Sequence, residues 1–382
     1  MYNSIYLFRF KYKSLQHWED FTRKYRLILL ALLLIVIFQC EKSSTKSDDN
    51  DQIIEGVNLT KLFAPPSSDE LTKIKSQWTS KTPEIKEIKI EDTTLAIINF
   101  KFHKTHVISH TNTENVKHYA ALIFPTDTTK KHPILFINHG GEEGIDFLSY
   151  VFLLNLNAQL INLAKNYILV FPSFRSEKLI MNPSTTYQST GSHSPWDKDV
   201  DDCIGLLTTI LRFYPLNADL SKVYALGISR GAGVSMLWAV RDNRVKKVVE
   251  FFGPTDFLSD WVKEKTISAI LGESEDLSGF DYLNNTVLQP LKNNEISINE
   301  ARHELIKRSS LYFLKNIIPL QIHHGQSDET IPVSQAEILI TEASKLNLGT
   351  PDFQSFLYEE TGHDISILID GINDVTNFLL EQ

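Results

Sequence analysis

The pentapeptide Gly227-Ile228-Ser229-Arg230-Gly231 stands between the apolar run Val223-Tyr224-Ala225-Leu226 and the apolar stretch from Ala232 to Val240. The first run reads as a short buried strand and the second as the opening turns of a helix. A chain that passes from strand to helix this quickly must reverse sharply, and the two glycines remove the Cβ atoms that would clash in the turn. Such a turn lifts the Ser229 hydroxyl into the open. It also aims the free N–H groups of a helix N-terminus at the same point. A serine so placed suits a nucleophile whose reaction generates an oxyanion. The plain alternative is an ordinary tight turn, so the rest of the chain must decide.

From Tyr119 onward the pattern is strand, helix, strand. Tyr119 to Phe124, Ile134 to Asn138, Tyr167 to Phe171, Val223 to Leu226, Val245 to Phe252, Leu320 to His324 and Gln354 to Tyr358 are short apolar runs. Helical patterns lie between most of them: Phe147 to Asn166, Asp199 to Phe213, Ser229 to Arg241, Val333 to Leu346 and Ile365 to Leu380. The alternation predicts an α/β fold, a mainly parallel sheet covered by helices on both faces. Reactive groups in such sheets collect in loops at the carboxyl ends of strands. Upstream, Ser67 with Glu70 predicts a capped helix through Trp78. Ile85 to Ile90 and Leu95 to Phe102 predict a hairpin turning at Asp92-Thr93. The region from Gly253 to Leu311 breaks the alternation and reads as an insertion, either a cap over the site or a solvated elaboration.

A serine hydroxyl needs a neighbouring base, and the base needs a carboxylate to orient it. His363 follows the strand Gln354 to Tyr358 in Glu359-Glu360-Thr361-Gly362-His363 and is the candidate base. Asp328, a few residues past the strand Leu320 to His324, is the candidate acid; Asp256 is its rival, and the adjacent Glu329 is expected to face water. His323 and His324 are expected to satisfy hydrogen bonds inside the structure. The oxyanion needs donors already in place, one being the backbone N–H of Arg230. A second should come from His139-Gly140-Gly141-Glu142, with Gly141 favoured. His103, His106 and His110 lack an accompanying carboxylate cluster, so no metal site is expected there.

The chain has 382 residues, room for one large α/β domain, and a net charge of -9, which argues against nucleic acid as a partner. Cys40 and Cys203 are the only cysteines, so no disulfide framework is implied, and Cys203 reads as packing. Arg23, Lys24 and Arg26 precede an apolar run from Leu27 to Phe38, too short to span a membrane and suited to a signal-peptide core. Cys40 directly after it resembles the lipidated cysteine of a bacterial lipoprotein. An uncleaved signal anchor and simple secretion are the alternatives. Glu41 to about residue 60 is polar and is expected to be a tether.

Several motifs together look like a known family. Asn138-His139-Gly140-Gly141, Phe171-Pro172-Ser173-Phe174-Arg175, Gly227-Ile228-Ser229-Arg230-Gly231, Gly253-Pro254-Thr255-Asp256 and His324-Gly325-Gln326-Ser327-Asp328 with Ile331-Pro332 resemble the prolyl-oligopeptidase (S9) type catalytic domain of the α/β-hydrolases. Dienelactone-hydrolase-like and acetyl-ester-hydrolysing relatives are also similar. The chain order Ser229, Asp328, His363 is that of an α/β-hydrolase. The resemblance implies a sheet of about eight strands with a cap-like insertion near 255–310, in a catalytic domain over 81–382. Ahead of it stand a signal peptide over 1–40 and a tether with a short helix over 41–80. It implies a serine hydrolase forming an acyl-enzyme on a small peptide or ester, without cofactor, held at the cell envelope of a bacterium by its lipid. The motifs lean to a peptidase, with a carboxylesterase or acetyl-ester hydrolase as the alternative. A non-catalytic binding lipoprotein on the same scaffold is the remaining one. Two departures weigh against peptides: the β-propeller usual in the S9 type has no room ahead of the domain, and Ser309-Ser310-Leu311 replaces the usual serine-proline pair.

Overall fold

The computed structural model describes residues 51–80, 84–273, 277, 279–316, 319–346 and 353–381. The expected signal peptide, Cys40 and the first ten residues of the tether lie outside them. The unit from Gln52 onward is the one considered below.

Along Ile168-Leu169-Val170-Phe171 every residue is buried, a pattern that demands cover on both faces of a strand. Among the described residues, nine strands meet this demand in one sheet. They are β1 (Ile85–Ile98), β2 (Lys101–Asn112), β3 (Lys117–Ile123), β4 (His132–Asn138), β5 (Ile168–Ser173), β6 (Ala218–Ile228), β7 (Val245–Phe251), β8 (Leu320–Gly325) and β9 (Phe353–Tyr358). Across the sheet they stand in the order β9-β8-β7-β6-β4-β5-β3-β2-β1. The six from β9 to β5 run parallel, and β3, β2 and β1 add antiparallel at one edge.

The longer helices are α1 (Ser68–Ser80), α2 (Phe147–Leu156), α3 (Ala158–Asn166), α4 (Lys198–Phe213), α5 (Arg230–Arg241), α6 (Asp260–Leu271), α7 (Ile298–Ile306), α8 (Ser334–Lys345) and α9 (Ile372–Leu380). One apolar core unites α4, α5, α8 and the 253–311 insertion with one face of the sheet. The other core holds α2, α3 and α9. This is the architecture of an α/β-hydrolase. The chain leaves β4 toward β5 and returns on the other side at β6. Where the order reverses, the loops after β4 and β6 open a crevice at the carboxyl edge.

Local chemistry corrects several expectations. The hairpin does not turn at Asp92-Thr93; β1 runs through these residues with a register shift between Ile90 and Asp92. The turn falls at Asn99-Phe100, at φ 49° and 58°, a conformation that normally selects Asn-Gly, so a phenylalanine there hid it. Asn155 pins this turn, accepting from the Asn99 N–H at 2.8 Å and donating to the Ile97 carbonyl at 3.0 Å. The helix expected over 147–166 breaks at Asn157, which turns extended and caps α3 by accepting from the Gln159 N–H at 2.7 Å. The last helix likewise divides at Gly371. A ribbon of Lys178–Asn182 and Thr185–Gln188 joins Ile145–Asp146 in a small second sheet that periodicity did not reveal. Nor is Gln52 to residue 60 a tether: Val57, Leu59 and Leu62 are buried in the main core. The capping box of α1 is present, with Ser67 N–H and Glu70 Oε2 at 2.8 Å.

Candidate active site

Strand β6 ends at Ile228, and Ser229 takes φ 54° and ψ -121°, the strained geometry of a chain turning straight into α5. The glycines on either side are there for space. A Cβ on Gly227 would stand 2.2 Å from the Gly231 carbonyl oxygen, and one on Gly231 would stand 2.2 Å from that of Asn138. The Ser229 N–H donates to the Phe251 carbonyl at 2.8 Å, locking the turn to β7.

The loops after β8 and β9 bring the other two candidates to this serine. His363 Nε2 lies 3.0 Å from Ser229 Oγ, and its Nδ1 lies 2.8 Å from Asp328 Oδ2. Phe252 packs against the imidazole at 4.5 Å between centroids and limits its rotation. The remaining Asp328 oxygen accepts the N–H groups of Thr330 and Ile331, each at 2.9 Å. Burial alone would raise the Asp328 carboxyl. Hydrogen bonds from His324, His363 and Ile331 outweigh it and hold the group well below the usual carboxylate range. It stands as an anion facing the imidazole. The rival Asp256 is engaged elsewhere, accepting from the Leu258 N–H at 2.8 Å and the Tyr312 hydroxyl at 2.9 Å. Glu329 is exposed. His323 bonds Tyr358 and Gln321, and His324 bonds the Ile331 carbonyl. Cys203 is buried beside Asn138.

The Arg230 amide opens α5, where N–H groups have no intrahelical acceptor. The Gly140-Gly141 backbone faces it across the cavity, close enough that a Cβ on Gly140 would lie 3.0 Å from Ser229 Cβ. The Arg230 side chain, which sequence reasoning passed over, ties these parts together. Its guanidinium is buried, with Nε and Nη2 on Asp199 Oδ2 at 3.1 and 2.7 Å. Nη1 bonds Glu177 and donates to the Gly141 carbonyl at 3.1 Å. His139 Nε2 lies 3.0 Å from the other Glu177 oxygen. Burial lifts the Asp199 carboxyl to about 6 against the pull of Arg230. Glu177, also raised by burial, is brought below its ordinary value by His139 and Arg230. The second candidate donor loop is thus fastened to the residue that supplies the first. Glu177 and Asp199 gave no signal in the sequence beyond being acids near helix or ribbon starts.

Above Ser229 opens a cavity of about 390 Å³ that also borders His363. Its walls include Trp196, Phe257, Trp261, Val262, Leu277 and Phe280, most of them from the 253–311 insertion. That insertion therefore covers one side of the site.

No family model matches the sequence, and no curated protein matches it. Solved structures do match the fold. Acetyl xylan esterase 1 from Thermoanaerobacterium sp. aligns over 85% of this chain and 99% of its own, at 17% identity and TM-score 0.54. Porphyromonas gingivalis dipeptidyl peptidase 4 aligns over 76% of this chain and 35% of its own, at 13% identity and TM-score 0.50. A puromycin hydrolase aligns over 78% and 39%, at 12% identity and TM-score 0.50. These likenesses place the chain in the α/β-hydrolase fold.

Proposed function

We propose that this chain is a serine hydrolase whose substrates are esters. The observation that carries the reading is the hydrogen-bonded line from Ser229 through His363 to Asp328 at the floor of the cavity. Ser229 Oγ attacks the ester carbonyl while His363 Nε2 takes its proton, and Asp328 balances the imidazolium. The carbonyl oxygen, now an anion, receives the amides of Arg230 and Gly141, each worth about 3 kcal/mol in sites of this kind. His363 returns the proton to the leaving alkoxide. Water, activated by the same imidazole, then releases the acyl group from Ser229.

Ester is preferred to peptide on two grounds. The cavity walls are apolar, and none of the described lining residues is a carboxylate that could receive a peptide's α-ammonium group. The alignment with an esterase also spans that enzyme's whole chain, whereas the peptidase alignment spans about a third of the peptidase. The peptidase reading rests on the motifs. A fluorophosphonate probe should label the wild type and Ser327→Ala but not Ser229→Ala. Turnover of aminoacyl-anilides without turnover of p-nitrophenyl esters would overturn the ester preference. Lipidation at Cys40 and residence at the cell envelope belong to the same proposal. Metabolically supplied palmitate should enter the protein but not Cys40→Ser, and the variant should leave the membrane fraction.

A further inference from the structure

We propose that the cavity beside Ser229 is an acyl pocket that selects an apolar acyl group much larger than acetyl, either a medium-length chain or an aromatic ring. This rests on the esterase reading above. The cavity measures about 390 Å³, inside the range of small-molecule sites. An acetyl methyl has roughly the volume of one water, ~30 Å³, and would leave most of that space without a partner. Trp196, Phe257, Trp261, Val262, Leu277 and Phe280 offer apolar surface there, and burying a matching group is what such surface rewards.

The cavity reaches both the oxyanion loop and His363, and its aromatic wall is assigned to the acyl group by its link to the former. The Glu142 carboxylate accepts the Gly279 N–H, clipping the insertion to the loop that carries Gly140 and Gly141. The aromatic wall therefore adjoins the side toward which the carbonyl oxygen points. Phe252, Ile331 and Ile365 adjoin His363, where the leaving oxygen must receive its proton.

Trp196 shows that the wall is built rather than incidental. It is a bulky residue held at φ 60° yet only 3% exposed, a conformation that persists only where surroundings enforce it. Its ring fits between two glycines: a Cβ on Gly233 of α5 would come within 2.8 Å of it, and one on Gly279 of the insertion within 2.5 Å. Phe257 packs on it at 4.8 Å between centroids. The nucleophile's helix, the insertion and the loop before α4 thus meet on one indole. Of the lining cations among the described residues, Arg230 is committed to Asp199 and Glu177, and Lys265 is the other.

The test is kcat/KM for p-nitrophenyl esters from acetate to octanoate, with benzoate, on the full-length protein. The expected result is a rise of about fourfold per added methylene through the series to octanoate, whose chain the cavity has room to hold. In Val262→Phe, whose ring occupies the cavity, the hexanoate-to-acetate ratio should fall about tenfold. Fluorophosphonate labelling of the variant reports whether it is folded. A flat series, or one led by acetate, in a wild type that labels at Ser229 would overturn the pocket while leaving the hydrolase reading intact. Absence of both label and ester turnover would instead remove the reading beneath it.

Discussion

Arg230 has two parts to play in the proposed mechanism, since its amide borders the proposed oxyanion position while its guanidinium holds the facing loop through the Gly141 carbonyl. Lysine carries the same charge but only one nitrogen, and cannot bond Asp199 twice while reaching Glu177 and Gly141. Arg230→Lys should therefore lower kcat for a p-nitrophenyl ester by about 10²-fold, the scale of one lost oxyanion donor, with KM little changed. An unchanged kcat would mean the loop holds its shape unaided. Asp328→Asn tests a different contact. The amide can present an N–H to His363 Nδ1 and favour the wrong tautomer, so kcat should fall by about 10⁴-fold. Ser229, Asp328 and His363 were legible in the sequence because each follows a strand, and a parallel sheet gathers such loops at one edge. Trp196, Glu177 and Asp199 were not. They lie in or beside an irregular loop, and their roles exist only through contact with Arg230 and the insertion.

Strand β7 carries a charge problem into the core. Glu250 is fully buried beside the nucleophile's strand, and Oε2 accepts the Gly253 N–H at 2.9 Å. Burial raises its carboxyl from 4.5 to about 7, although His324 on β8 and the Gly253 N–H both oppose the rise. Burial lowers His324, but contacts with Asp328, Glu250 and the Ile331 carbonyl leave it above its ordinary value. Folded Glu250 keeps a proton that the unfolded chain releases, so its contribution is fully present below about pH 4.5 and is lost as pH rises through about 7; that of His324 is fully present below 6.5 and is lost above it. Asp328 acts oppositely, its contribution being present above 3.8 and lost only in stronger acid. Glu250 therefore opposes stability from about pH 5 to pH 8, while the buried neutral imidazoles of His110 and His323, lowered to about 3, add stability as pH rises to their ordinary 6.5. Glu250→Gln should gain stability relative to wild type as pH rises, by on the order of 2 kcal/mol between pH 5 and pH 8. Parallel melting curves across that range would refute this account of the strand. The strands themselves were readable from apolar runs, β7 included despite its acid. What the runs could not display were the turn at Asn99-Phe100 and the break at Asn157, where asparagine side chains supply bonds that no periodicity encodes.

Across the whole unit, a buried arginine bridges the segment before the sheet to the insertion within it. Arg302, buried on α7, donates to the carbonyls of Lys61, Leu62 and Ala64 at 2.7, 3.0 and 2.8 Å. The same guanidinium meets both oxygens of Glu70, the acid of the α1 capping box, at 2.8 and 3.0 Å. Hydrogen bonds from Arg302 outweigh burial and lower the Glu70 carboxyl to about 2, so the pair stays ionised throughout the working range. The residues around this clamp, Leu59 and Leu62, are fully buried, and α7 supplies part of the body of the insertion. Arg302→Met would keep the aliphatic stem while leaving three carbonyls and a partly buried carboxylate without their donor, at a cost of about 3 kcal/mol. For a unit of this size Tm should drop by about 5 °C. Because the loss is local, trypsin should reach Lys61 before the rest of the unit unfolds. Fluorophosphonate labelling of Ser229 should persist at temperatures where Lys61 is already cut, since the loops that carry Ser229, Asp328 and His363 hang from β6, β8 and β9 rather than from this segment. If Lys61 stays protected until labelling is lost, the segment and the sheet unfold as one, and Arg302 is not what joins them.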